Sequence, residues 1–214
     1  MLAALPASGV GVYCTTCGEP GVEREEGRGD ERFRCRACGA SAPRAFQFDG
    51  RARYWMESGE LLHESAGAIV RRDGRTLLFL RSRFPLFWSI PAGHVEEGAD
   101  PEAEMRREVF EETGLVVTSA TRLFAGERVV LDDPCRRGAD RHLWNVYEAE
   151  ATGTPRLSDE SRVVGWFDDG EVRELSREGR LIRPVAAIFA RLRPGRPGRR
   201  GGPTPRGTRA PRGR

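Results

Sequence analysis

Apolar positions along the chain fall into short runs whose spacing predicts an ordered series of elements. Ser65–Arg71 and Thr76–Arg81 are apolar runs separated by Asp73-Gly74, a pair that favours the tight turn of a β-hairpin. Pro91-Ala92-Gly93 begins a loop expected to run to Asp100. Asp100-Pro101 reads as the N-cap and first position of a helix, which extends to about Thr113 and stops at Gly114. Strands are expected at Leu115–Val117, Arg122–Val130 and Arg141–Ala149, with a short one at Val163–Phe167 before Asp168-Asp169-Gly170. Pro184–Leu192 reads as a closing helix. Strands and helices mix without regular βαβ alternation, so the expected fold class is α+β, or mixed α/β.

No run approaches the roughly 18 uninterrupted apolar residues of a membrane-spanning helix. Met1–Pro6 lacks a basic stretch and the first Arg is Arg24, so no secretory leader is expected and a cytoplasmic location is. All 35 basic residues are Arg, which excludes mechanisms built on a Schiff-base lysine or a phosphate-loop lysine. The net charge of +3 conceals an asymmetry. Residues 191–214 hold nine Arg and no acid, and subtracting these leaves the first 190 residues at −6. Arg, Gly and Pro fill 20 of those 24 positions, too few apolar groups to offset chain entropy, so this tail is expected to be disordered. The resulting division is a flexible N-terminus (1–12), a cysteine-bearing unit (13–50), a main domain (51–190) and the tail (191–214).

Four of the five cysteines form two close pairs, Cys14/Cys17 and Cys35/Cys38, each followed by Gly. Two such turns aim four thiolates at one point, a spacing suited to tetrahedral Zn²⁺. A four-sulfur site has no open position, so the expected role is structural; the alternative is a pair of disulfides. The region resembles a zinc ribbon. Cys135, after Asp132-Asp133-Pro134, reads as an ordinary loop thiol with no ligand partner in sequence, and His142 as a satisfied strand-edge histidine.

On the expected helix, Glu108, Glu111 and Glu112 stand at i, i+3 and i+4 and share one face. Such carboxylates repel unless a cation sits among them, and oxygen ligands favour Mg²⁺ or Mn²⁺. Arg107 can bridge to a carboxylate and fix its direction. The stretch Gly93–Leu115 resembles the Nudix box, Gx5Ex7REUxEExGU. Gly93, Arg107, Glu108, Val109, Glu111, Glu112, Gly114 and Leu115 match, and the first Glu of the pattern is replaced by Ala99. Arg107 thereby lacks its usual partner, a place that Glu96 or Glu97 could take if the loop shifts.

The resemblance implies a Nudix fold, a mixed sheet sandwiched between helices, here with a small N-terminal ribbon. It implies a metal-dependent pyrophosphatase cleaving the diphosphate linkage of a nucleoside diphosphate derivative, of NADH, ADP-ribose, dinucleoside polyphosphate or nucleoside triphosphate type. Glu108, Glu111, Glu112 and Arg107 would be the catalytic set, with Mg²⁺ or Mn²⁺ on the three glutamates and Glu160 as a further candidate ligand. A Nudix domain behind a four-Cys ribbon resembles the NADH pyrophosphatase group, but the SQPWPFPxS motif of that group does not follow the box. Arg81, Arg83 and Gly93 are candidate substrate contacts, and Phe84, Phe87 and Trp88 could stack on a base or pack under the hairpin. Trp166 reads as core. The alternative function is a catalytically weak Nudix-fold protein that binds a nucleotide or RNA, aided by the ribbon and the Arg-rich tail. A membrane partner is not expected; a homodimer and a nucleic-acid contact through the tail stay open.

Overall fold

The computed structural model describes residues 10–25, 32–83 and 85–192. Most of the expected flexible start, any role of Phe84 and nearly all of the Arg-rich tail therefore lie outside the described residues. Val10–Val12, expected in that start, instead belong to strand Val10–Tyr13 (β1).

The N-terminal unit has two small sheets. β1 pairs antiparallel with Phe46–Asp49 (β5), while Val22–Glu25 (β2), Arg32–Cys35 (β3) and Ser41–Ala42 (β4) form the second. The chain then enters a nine-stranded mixed sheet through Tyr54–Glu57 (β6), Glu60–Arg72 (β7), Arg75–Arg81 (β8), Trp88–Ser89 (β9) and Ala92–His94 (β10). Helix Pro101–Thr113 (α1) follows, then Val116–Arg122 (β11), Val130–Asp132 (β12), Arg141–Thr152 (β13) and Ser161–Phe167 (β14). Two helices, Asp169–Arg177 (α2) and Arg183–Leu192 (α3), close the domain. The main strand order is β11-β13-β7-β8-β14; β6 and β10 also pair with β7, β12 with β13 and β9 with β8. β13 runs parallel to β7, and the other pairings in this sheet are antiparallel.

Strand alternation divides the core into two layers. Ala66, Ala68, Val70, Leu77, Tyr147 and Ala149 face α1, where Met105 and Val109 complete the packing. Ile69, Leu78, Trp144 and Val146 face the other way, against Val172 and Leu175 of α2 and Val185 and Ile188 of α3. This is the expected α+β sandwich. Among the described residues no helix is long and apolar enough to cross a membrane.

The local signals hold at the hairpin and the first helix. Asp73 and Gly74 take φ of 50° and 72°, closing β7 onto β8. Asp100 accepts the N–H of Ala103 at 3.1 Å, and Gly114 ends α1 at φ 72°. Two expectations change, and one helix is added. The loop expected from Pro91 to Asp100 contains β10, which finds its hydrogen bonds on β7. The strand expected over Arg122–Val130 turns after Arg122 and resumes only at Val130. The segment after Asp168 is helix α2, opened by a capping box between Asp168 and Glu171.

The N-terminal unit is fastened to the domain by the loop between β12 and β13. Ala45 N–H donates to Arg136 O at 3.3 Å and Gln47 N–H to Arg137 O at 3.0 Å. Arg44 pairs with Asp140 at 2.7 Å, and the other Asp140 oxygen accepts the N–H of Leu61 at 2.9 Å. Gly138, at φ 91°, lies so close to β5 that a Cβ there would stand 2.7 Å from the Cα of Phe46. Gly138→Ala should therefore lower unfolding free energy by about 1–3 kcal/mol, through the unfavourable φ and the forced separation. Urea denaturation checks this; an unchanged midpoint would contradict the packing described.

Candidate active site

Helix α1 lies against β10, so its acidic face meets the backbone of Ala92 and Gly93. Ala92 N–H donates to Glu112 Oε2 at 2.9 Å. Glu112 is buried, and burial pushes its carboxyl well above the ordinary range. The Ala92 N–H and Arg81 counter this shift, while Glu108 and Glu160 add to it. Glu108 is half-buried beside it and is likewise raised by burial, with Arg107 opposing and Glu111 reinforcing the shift. Gly93 admits this arrangement: a Cβ at that position would stand 2.0 Å from Glu108 Oε1 and 2.8 Å from its Cγ.

Arg107 spreads over three carboxylates. Its guanidinium reaches Glu104 at 2.6 Å, Glu108 at 2.7 Å and Glu111 at 2.7 Å. Burial disfavours the Arg107 charge, but Glu104, Glu108 and Glu111 outweigh it and hold the group firmly protonated. Glu104, rather than Glu96 or Glu97, therefore occupies the place opened by Ala99. The loop itself is held differently. Arg53 donates to the Ala99 carbonyl at 2.8 Å and pairs with buried Glu64 at 2.6 Å, while Glu64 also accepts Asn145 Nδ2 at 2.8 Å.

The three box glutamates thus separate into two environments. Glu108 and Glu112 turn inward, whereas Glu111 is 54% exposed at the rim and tied to Arg107. Glu160 faces the inward pair from the loop before β14, near enough to act on Glu112, and its carbonyl accepts the N–H of Ser82 at 2.8 Å. Arg81, Ser82, Arg83, Arg136 and Glu160 line a pocket of about 120 Å³. Burial pulls the Arg81 pKa down, with Glu160 and Glu112 opposing. A second pocket, of about 230 Å³, lies by the helix and is lined by Arg51, His94, Glu96, Arg107, Glu108 and Arg137, among others. Arg51 comes from the segment just after β5, so this end of the chain supplies part of the wall. Trp88 is buried against Phe167, ring centroids 4.7 Å apart, and cannot stack on a ligand; Phe87 is exposed. Trp166 is only partly buried, under the Arg72 guanidinium.

The two CxxC turns converge. Cys14 and Cys38 sulfurs lie 3.7 Å apart, as do those of Cys17 and Cys35. With Zn–S bonds of about 2.3 Å, tetrahedral thiolates stand about 3.8 Å from one another. Burial pushes the Cys14 thiol up, but the N–H groups of Cys17 and Thr16 and the adjacent thiols bring it down to about 6. Sequence reasoning missed a different convergence. Cys135 and His142, read as unremarkable singly, meet His63 and His94, and no spacing motif joins these four positions.

Residues 61–189 match the family model for the NUDIX domain. A MutT-like protein of Streptomyces ambofaciens is 33% identical over 123 residues, covering 58% of this chain and 74% of that protein. An 8-oxo-dGTP diphosphatase of Proteus vulgaris is 34% identical over 91 residues, covering 41% and 74% respectively. The crystal structure of a MutT NUDIX hydrolase from Burkholderia pseudomallei aligns with a TM-score of 0.44 and 31% identity, over 51% of this chain and 85% of that one.

The close approach at Gly93 generates a test. Gly93→Ala should displace Glu108 and lower kcat roughly 10–100-fold, as misplacement by about 1 Å does. Thermal unfolding should barely move. Wild-type turnover in this variant would show that Glu108 need not sit where it does.

Proposed function

Because the chain belongs to the Nudix family, whose hydrolases act on phosphoric anhydride bonds, we propose that it cleaves the diphosphate linkage of a free nucleotide with the help of Mg²⁺ or Mn²⁺. The observation that carries this reading is the pair of buried Glu112 and half-buried Glu108, aimed at β10 with Glu160 near Glu112. Their all-oxygen donor set fits a hard divalent cation. Glu108 and Glu112 would hold it, with Glu160 completing the set and Glu111 at the rim. When bound, such a cation neutralises phosphate charge and acidifies water.

The chain's own groups supply the rest. Glu112 has one oxygen fixed by the Ala92 N–H, which directs the carboxylate to orient or take the proton of the attacking water. Arg81, with Arg83 and Arg136 around the same pocket, offers guanidinium donors to phosphate oxygens. Arg107 keeps Glu108 directed inward. The likeness to an 8-oxo-dGTP diphosphatase supports a nucleoside triphosphate as the first substrate to test, before ADP-ribose, NADH and dinucleoside polyphosphates. We also propose Zn²⁺ in the four-cysteine site, where it would take the part of a core the small ribbon lacks.

Product chromatography after incubation with Mg²⁺ and a panel of these four substrate types tests the activity. A nucleoside monophosphate should form, and Glu112→Gln should slow its release about 10²–10⁴-fold. Equal rates for Glu112→Gln and wild type would overturn the assignment. For the ribbon, Cys35→Ser should lose one zinc per chain and become cleavable by protease before residue 50; unchanged zinc content would exclude the four-cysteine site.

A further inference from the structure

All three histidines of the chain and its fifth cysteine converge at one point, with His94 also in the wall of the pocket beside Arg107. His63 lies on β7, His94 on β10, His142 on β13 and Cys135 in the loop before β13. The sheet brings them together. His142 stands directly opposite His63 in the parallel register, and His94 opposite Ser65, one diagonal from His63 on the same face. One ligand atom from each residue lies within 4.8 Å of the other three. His94 Nε2 and His142 Nε2 are 3.3 Å apart, and Cys135 Sγ and His63 Nδ1 are 4.0 Å apart. Tetrahedral zinc requires about 3.3 Å between nitrogens and about 3.6 Å between nitrogen and sulfur.

A second observation independently marks the group as a ligand set. Asp133 Oδ1 meets His142 Nδ1 at 3.0 Å and accepts the His142 N–H at 3.0 Å, while Asp133 Oδ2 accepts Trp144 Nε1 at 2.8 Å. The carboxylate is thus held by three contacts from β13 and orients the imidazole so that Nε2 points inward, the arrangement that supports metal-bound histidine. His63 is fully buried, and among the described residues its Nε2 has no partner and its Nδ1 has the Cys135 sulfur at 4.0 Å.

We propose that His63, His94, Cys135 and His142 form a second structural metal site, taking Zn²⁺ or a similar borderline-soft divalent ion. Three imidazoles and a thiolate select against Mg²⁺ and Mn²⁺, so the site is chemically distinct from the carboxylates of α1. Four protein ligands leave no open position, which makes it a fastener and not a catalyst. It ties the strand bearing Gly93 to β7, to β13 and to the loop that docks the ribbon.

Metal analysis of the full chain, purified without a histidine tag or chelator, tests this. Wild type should carry two zinc ions per chain, and Cys135→Ser and His142→Gln should each carry one. With Co²⁺ in place of zinc, Cys135→Ser should lose about one-fifth of the thiolate charge-transfer absorption, one sulfur of five. One zinc in wild type, or two in both variants, would overturn the site. Should the variants not fold, alkylation in the Cys35→Ser chain decides. Cys135 should be protected until chelator is added, and equal labelling with and without chelator would show that it binds no metal.

Discussion

The parallel register of β13 on β7 is the constraint on which the rest of the molecule depends. Ten consecutive pairs, from Arg141 opposite Leu62 to Glu150 opposite Arg71, fix both faces of the sheet at once. A slip of one residue would send Asn145 away from Glu64 and exchange the side chains presented to α1 with those presented to α2 and α3. β10 pairs with the same strand β7, opposite Ser65–Gly67, and decides what the acidic face of α1 meets. Parallel neighbours cannot be joined by a tight turn. Here the intervening chain is used to carry the box, its helix and the loop on which the ribbon rests.

The site is also shaped by the absence of lysine. Each side-chain ion pair in which a cation meets a carboxylate near α1 uses a guanidinium, and Arg107 shows why this matters. A planar fork with five donors can serve Glu104, Glu108 and Glu111 together, where an ammonium would act as a single compact charge. Arg53 does the same for the loop, spanning the Glu64 carboxylate and the Ala99 carbonyl. The departure of Ala99 from the family pattern is thus absorbed by residues on either side of it.

What could be read from the sequence was whatever is encoded within a few residues. The Asp100-Pro101 start and Gly114 stop of α1, the Asp73-Gly74 turn, the CxxC pairs and the spacing of the box each have short-range causes. β10 was not legible because three residues carry no period and take their hydrogen bonds from β7. Helix α2 was: the capping box at Asp168 and Glu171 and the spacing of Val172 and Leu175 were available and outweighed by the Asp-Asp-Gly turn signal. The replacement of the missing box glutamate by Glu104 depends on rotamers that no spacing rule specifies. The histidine cluster was least accessible, since its three histidines lie 31 to 79 positions apart and only the β7–β13 register and the β10 pairing unite them.

The loop that carries Cys135 has a consequence for how this protein can be taken apart, in the laboratory or in evolution. Zinc ribbons are commonly thought of as detachable beads. Here Phe46 and Phe48 of the ribbon share a small apolar cluster with Leu61 of the central strand. Gly138 leaves no room for a side chain beneath β5. Removing the ribbon would bare that cluster and open one wall of the pocket beside Arg107. Exchanging it for another would require the loop from Asp132 to Asp140 to travel with it. Ribbon, docking loop and central strand are therefore packed as one unit in this chain, across residue 61 where the family match begins.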